Sequence, residues 1–324
     1  MQKQFDVVAL GEAMLEFNQT TPREPKYLQG FGGDTSNAAI AAARAGARSA
    51  YLTRVGADTF GNALLDLWTR ESVDTSAVQR DASSHTGIYF VTHGQNGHEF
   101  SYLRAGSAAS RMTPNWLGEN GTANSGGPPP AAGRRSAADL ISASHILHLS
   151  AISLAISPDA CDTAFAAMAM ARTTGTRVSF DSNLRLKLWP LARAQACVAK
   201  AVSMSDVFLP SLEDMVTLTG LNDPGAIIDW GHAHGAQTVV LKLGAEGALV
   251  SDGTKRLLVA GKRVTLVDAT GAGDCFCGNL LARMALGDDV FTATHYANAA
   301  AALAVQGYGA VGPLPYAAQV LGAS

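Results

Sequence analysis

Apolar residues in this chain fall into short runs separated by stretches of helical spacing. Residues 7–10, 50–54, 146–149, 177–180, 207–209 and 238–243 read as strands. Short apolar runs of this kind suit strands covered on both faces. Segments of helix length lie between them. Residues 35–45 are predicted helical, with Asp34 or Thr35 as the cap and Gly46 as the stop, and residues 61–71 form a second helix. The alanine-rich stretch 297–305 reads as a buried helix. This alternation predicts an α/β fold, a central and mostly parallel sheet flanked by helices. Binding sites in such sheets gather at the carboxyl ends of the strands.

Two regions break the alternation. Residues 86–92 and 99–103 form a predicted hairpin around His93-Gly94-Gln95-Asn96-Gly97, where the Asn-Gly pair suits a tight turn. Residues 12–31 also look extended. Together they predict a small β-sheet beside the main domain, placed as a lid over a ligand cleft. The lid takes residues 12–31 and 85–107, and the main domain residues 1–11, 32–84 and 108–324. Residues 118–136 are rich in Gly, Pro, Asn and Ser without apolar periodicity, and read as a flexible surface loop in which Arg134 and Arg135 are solvated. There is no internal repeat.

Composition narrows the function. The chain has 324 residues, 47% hydrophobic and 16% charged, with a net charge of -3. Nucleic-acid binding calls for a basic face, so no such partner is expected. No run reaches transmembrane length and residues 1–5 do not open a signal peptide, so a cytoplasmic location without membrane contact is expected. Cys161, Cys197, Cys275 and Cys277 are scattered; Cys275 and Cys277 are close, but lack the further partners a metal site needs.

The most informative stretch is Val267-Asp268-Ala269-Thr270-Gly271-Ala272-Gly273-Asp274, entered by a β-type segment at 263–267 and left by a helical one at 275–286. Its glycines allow a tight turn and present N–H groups at a helix amino terminus, where an anion is favoured. A carboxylate there can take a proton from an alcohol while the N–H groups stabilise charge moving onto a phosphoryl group. The alternative is a plain helix cap, with Asp274 as N-cap. Four other places carry candidate polar groups. Gly32-Gly33-Asp34-Thr35-Ser36-Asn37 precedes a helix and offers groups that suit sugar hydroxyls, or a cap. Ser179-Phe180-Asp181-Ser182-Asn183-Leu184-Arg185 leaves a strand end, and Arg185 suits a carboxylate, a phosphate or a structural ion pair. Tyr102 and Arg104 share one face of the lid hairpin, which Tyr89 joins if it faces the same way. Lys242-Leu243-Gly244-Ala245-Glu246-Gly247 suits a nucleotide-binding turn or an ordinary hairpin.

Taken together, Gly32-Gly33-x-x-x-Asn37, Lys242-x-Gly244-x-x-Gly247 and Asp268-x-Thr270-Gly271-Ala272-Gly273-Asp274 resemble the ribokinase-like (pfkB) carbohydrate kinases, over nearly the whole chain. Several segments resemble the 2-keto-3-deoxygluconate kinases of that family. They are Gly30-Phe31-Gly32-Gly33-Asp34-Thr35, Tyr102-Leu103-Arg104 before Gly106-Ser107-Ala108, Ser153-Leu154-Ala155-Ile156-Ser157, and Asp181-x-Asn183-x-Arg185 before Leu188-Trp189.

The resemblance implies a ribokinase-like fold and transfer of the γ-phosphoryl of ATP, carried with Mg²⁺, to the C6 hydroxyl of 2-keto-3-deoxygluconate. Asp274 would be the general base, and Gly271, Ala272 and Gly273 the anion hole. Gly33, Asp34, Asn37, Tyr89, Tyr102, Arg104 and Arg185 would line the sugar site. Asn183, Arg185, Ser211, Lys242, Gly244, Gly247, Gly271, Gly273 and Asn298 would lie along ATP. Asp214 and Asp268 are candidate metal contacts, the latter for a monovalent cation such as K⁺. The keto acid's carboxylate needs a cation, for which Arg104 and Arg185 are the candidates; a neutral sugar has no such need. Ser211-Leu212-Glu213-Asp214 departs from the Asn-x-x-Glu of many relatives, and Leu184 stands where the keto-deoxygluconate kinases carry tyrosine. The alternatives are a kinase of fructose, ribose, a nucleoside or 2-keto-3-deoxygalactonate, or a regulator that binds sugar and nucleotide without catalysis. Exposed strand edges on the lid imply a homodimer through it.

Overall fold

The computed structural model describes residues 3–21, 24–94, 97–119 and 135–322. The apolar runs assemble into a nine-stranded sheet whose order, edge to edge, is Arg256–Ala260, Gly247–Ser251, Thr238–Lys242, Val207–Leu209, Arg177–Asp181, Ser144–Ser150, Phe5–Leu10, Ser49–Leu52 and Val73–Asp74. Every pairing from Thr238–Lys242 to Val73–Asp74 is parallel, and the remaining edge pairs are antiparallel. Alternation along the strands divides the core in two. Val7 and Ala9 pack on one face with the helices Asp34–Arg44, Ala272–Ala285 and Val290–Ala304, whereas Val8 and Leu10 pack on the other with Pro158–Thr173 and Leu191–Val202. The sheet is thus covered on both sides, which is why runs such as Val7–Leu10 and Val207–Leu209 are apolar on both faces.

One helix contact positions the site. A Cβ on Gly278 would lie 2.2 Å from the Ala38 carbonyl oxygen, so the absence of a side chain lets Asp34–Arg44 and Ala272–Ala285 pack backbone against backbone. Their amino termini are thereby brought together at the carboxyl ends of the parallel strands, where Asn37 reaches Asp274.

A separate four-stranded sheet has the order Tyr27–Gly32, Met14–Gln19, Ile88–Gly94, Gly97–Leu103. The predicted hairpin is present with Tyr89 opposite Tyr102; Gln95 and Asn96 of its turn lie outside the described residues. The sheet packs against the main body through Phe17, whose ring stacks on Phe90 at 5.3 Å and meets Phe60 of the helix Thr59–Arg70 edge-on at 6.1 Å.

Three expectations are corrected. Residues 263–267 form no strand. They lie beyond the sheet edge with Val264, Leu266 and Val267 exposed, and Val267 and Asp268 donate to the single carbonyl of Val305. The helix expected from Thr35 starts at Asp34 and is capped by neither Asp34 nor Thr35. Its N-cap is Gly33, held at φ 118, where a Cβ would lie 2.5 Å from the Glu12 carbonyl oxygen. Within the expected loop at 118–136, residues 120–134, including Arg134, lie outside the described residues; Arg135 is not free in solvent but bonds Gln4 and lies over the Phe5 ring.

Candidate active site

The glycine turn gives the helix Ala272–Ala285 a bare start. Its N-cap is Gly271 in the left-handed region, and no side chain caps it. Asp274 is the third residue of the helix and not its cap, so the plain-cap reading is set aside. Its carboxylate points back towards the other helix start, where Asn37 Nδ2 donates to Asp274 Oδ2 at 2.8 Å. Burial, reinforced by the nearby carboxylate of Asp34, pushes the Asp274 pKa up to about 7, against the pull of the Asn37 bond and of Lys242. A carboxylate poised there accepts a proton near neutral pH.

Around Asp274 the structure brings together most of the expected sugar-site residues. Asn183 Nδ2 donates to Asp34 Oδ2 at 2.8 Å, joining the end of the strand Arg177–Asp181 to the start of the first helix. Two further oxygens of this group, Asp34 Oδ1 and Asn37 Oδ1, are buried without a hydrogen-bond partner among the described residues. Tyr89 and Tyr102 stand on the small sheet with ring centroids 5.7 Å apart, and Tyr89 is close enough to Asp274 for the two to interact electrostatically. The Tyr89 hydroxyl donates to the buried Glu16, and burial together with that carboxylate holds the phenol protonated.

Arg104 follows on the same hairpin, its guanidinium carbon 5.8 Å from the centre of the Tyr102 ring. It forms an ion pair with Glu12, a residue 1% exposed that also accepts from Ser107 Oγ at 2.5 Å. Arg104 Nε is buried and has no hydrogen-bond partner among the described residues. Glu12 and Glu16, which the sequence reading passed over, are the carboxylates that hold Arg104 and Tyr89; a glutamate two residues after the first strand, at Gly11-Glu12, was the available signal for the former. Arg185 is exposed and donates only to the Leu184 carbonyl among the described residues, so the rival reading as a structural ion pair finds no support there.

Of the residues expected along a nucleotide, Asn183 is the one bonded to Asp34, and Lys242 is the one that reaches the glycine turn. Lys242 ends its strand within 2.7 Å of Asp181, and its Nζ is 3.8 Å from where a Cβ on Gly273 would stand. Burial opposes its charge, yet Asp181 beside it keeps the ammonium protonated. Gly244 and Gly247 bracket one 3-10 turn. Ser211 caps the helix Leu212–Thr219 by accepting from the Asp214 N–H, and Asp214 in turn accepts from Ser182 Oγ at 2.7 Å, which gives the serine a local structural task. Asn298 donates to the Val259 and Ala260 carbonyls, fastening its helix to the edge strand. Asp268 accepts from Thr270 and from the Gly309 N–H at 2.9 Å. Among the described residues there is no cluster of three or more His, Cys, Asp and Glu side chains that could hold a metal, and all four cysteines are free.

A bare helix start with an ammonium beside it receives an anion, and a carboxyl with a pKa near neutrality receives a proton. That combination suits transfer of an anionic group to an alcohol. Residues 4–317 match the pfkB family of carbohydrate kinases. The chain belongs to this family. It is 34% identical to a 2-dehydro-3-deoxygluconokinase of Thermoproteus tenax over 308 residues, 92% of this chain and 88% of that one. It is 32% identical to fructokinase-2 of Solanum habrochaites over 289 residues, 86% and 81% of the two chains. A solved structure of fructokinase from Vibrio cholerae O395, bound to fructose, ADP and calcium, superposes with a TM-score of 0.82 at 31% identity over 98% of each chain. The pfkB kinase is thus a phosphotransferase with an alcohol acceptor, on a ribokinase-like fold with a separate small sheet. Among the described residues, no helix is long and apolar enough to cross a membrane.

Proposed function

We propose that this pfkB kinase phosphorylates 2-keto-3-deoxygluconate (2-dehydro-3-deoxygluconate) at its C6 hydroxyl with ATP, giving 2-keto-3-deoxy-6-phosphogluconate. The observation that carries the reading is a set of three buried polar atoms without a hydrogen-bond partner among the described residues, two beside Asp274 and one at the end of the small sheet. Asp34 Oδ1 and Asn37 Oδ1 are acceptors, matching sugar hydroxyls, while Arg104 Nε is a cationic donor, matching a carboxylate. A polyhydroxy acid satisfies both kinds. Arg185 supplies a second cation at the open side.

Asp274 removes the C6 hydroxyl proton as the oxygen attacks the γ-phosphoryl group and ADP leaves, and the backbone N–H groups of Gly271 and Gly273 receive the charge that develops on it, whereas the expected Ala272 N–H already donates to the Ala269 carbonyl at 3.1 Å. Lys242 adds a full positive charge at the same place. Asn183, Ser211, Gly244, Gly247 and Asn298 lie along the nucleotide. Mg²⁺ would arrive with the ATP phosphates and keep several of its waters, and Asp214, whose charge reaches Lys242, would be the carboxylate to hold one of them. When bound, Mg²⁺ supplies charge neutralisation between the phosphates. The small sheet acts as a lid, and its exposed Leu28, Phe100 and Leu103 suit pairing with a second copy of the chain.

A second reading, a neutral ketose such as fructose, draws on one observation: Glu12 already balances the charge of Arg104. Arg104→Ala and Arg185→Ala separate the two. For an acid substrate each raises KM for the keto acid tenfold or more while leaving the poor turnover of fructose unchanged. Wild-type kinetics in both variants would refute the acid reading.

A further inference from the structure

Asp181 closes the central strand Arg177–Asp181 at 3% exposure, and both its oxygens are engaged. Oδ1 accepts from Lys242 Nζ at 2.7 Å and from the Asn183 N–H at 3.3 Å; Oδ2 accepts from the Cys277 thiol at 3.4 Å. Lys242 Nζ also lies 3.6 Å from Cys277 Sγ. These residues come from three elements: the central strand, the strand Thr238–Lys242, and the helix Ala272–Ala285 just one turn beyond Gly273. Burial and the Asp181 carboxylate both keep the Cys277 thiol protonated, so it serves as a hydrogen-bond donor and not as a nucleophile.

Such a cluster is a poor device for stability, because the cost of desolvating a buried ion pair offsets most of its attraction. It does fix a direction. Lysine has a flexible four-carbon stem and three N–H donors. One donor is held by Asp181 and another lies towards Cys277, which leaves the third for the space in front of Gly273, 3.8 Å from its Cβ position. That space is where the bare helix start receives the phosphoryl group.

Resting on the phosphoryl-transfer reading above, we infer that Lys242 is a resident cation on the transferring phosphoryl group and that Asp181 is the residue that positions it, with Cys277 as a weaker third contact. The test is a kinetic cycle on the full-length protein with Mg·ATP and its preferred sugar, using Lys242→Met, Asp181→Asn and the double variant. Lys242→Met is expected to lower kcat about 100-fold, as loss of a charge-stabilising donor does, with sugar KM within threefold of wild type. Asp181→Asn is expected to lower kcat at least tenfold with the same unchanged KM, and the double variant to be no slower than Lys242→Met alone. Full wild-type kcat in Asp181→Asn, or a double variant whose loss is the product of the single losses, would overturn the inference. If Asp181→Asn does not fold, the double variant, which leaves no charge of the pair unbalanced, still decides by its comparison with Lys242→Met. Wild-type protein runs in the same series: no turnover there refutes the kinase reading itself, whereas turnover with additive variants refutes the Asp181 inference alone.

Discussion

Asp274→Asn should make the protein more stable at alkaline pH while destroying its activity. The wild-type carboxyl is moved from 3.8 to about 7, chiefly by burial and then by Asp34. Between those values the folded chain holds a proton that the unfolded chain has released, so stability falls as pH rises through the window and the loss is complete above about 7. The shift corresponds to a destabilisation on the order of 4 kcal/mol. Asparagine has nearly the same shape, keeps an oxygen to accept from Asn37 Nδ2, and carries no charge to desolvate. For 324 residues the unfolding entropy is about 0.7 kcal/mol/K, so the variant should melt about 6 °C above wild type at pH 8. Near pH 4 the difference should nearly vanish. Calorimetric or fluorescence melting of both proteins from pH 4 to 8, at constant ionic strength, reads this directly. A Tm difference independent of pH, or a variant less stable than wild type at pH 8, would refute the claim that Asp274 is a strained, desolvated base.

The same variant should lose at least about a thousandfold in kcat and still bind the sugar, and substantial residual turnover would contradict a general-base role. In wild-type protein, kcat/KM should rise with pH through an acid limb near 7, the value at which Asp274 ionises; a limb at the ordinary carboxylate value would contradict the desolvation. Gly33→Ala places a Cβ 2.5 Å from the Glu12 carbonyl oxygen at φ 118, and should cost upwards of about 1 kcal/mol in stability and raise the sugar KM. An unchanged Tm would show that the turn relaxes freely. Light scattering at micromolar concentration should give the mass of a dimer, reduced to a monomer by Leu28→Ser with Phe100→Ser; a monomeric wild type would remove the lid as an interface.

The sequence made the sheet legible because its strands are buried on both faces and so carry uninterrupted apolar runs, as at Val7, Val8, Ala9 and Leu10. The glycine turn was legible because few other residues can start a helix from a left-handed position. The run at 263–267 misled: Val264, Leu266 and Val267 are strand-like by propensity, but no neighbouring strand is there to pair with them. Pairings between distant residues were not legible either. Arg104 and Glu12 are joined by chain reversal at the small sheet, and Asp181, Lys242 and Cys277 by the parallel order of the large one. Sequence suggested Arg104 as a free cation, and only the fold revealed its counter-charge. Ser211 read only as a departure from the asparagine of many relatives, and its role as a helix cap was visible only in the fold.

The central claim is tested most directly by ADP release from Mg·ATP with 2-keto-3-deoxygluconate, run beside fructose, ribose and adenosine. Fast turnover on the keto acid, with the other three slower by orders of magnitude, is the expected result. Turnover confined to a neutral sugar would contradict the proposed substrate and the roles of Arg104 and Arg185, while leaving Asp274 and the glycine turn as the machinery of the transfer.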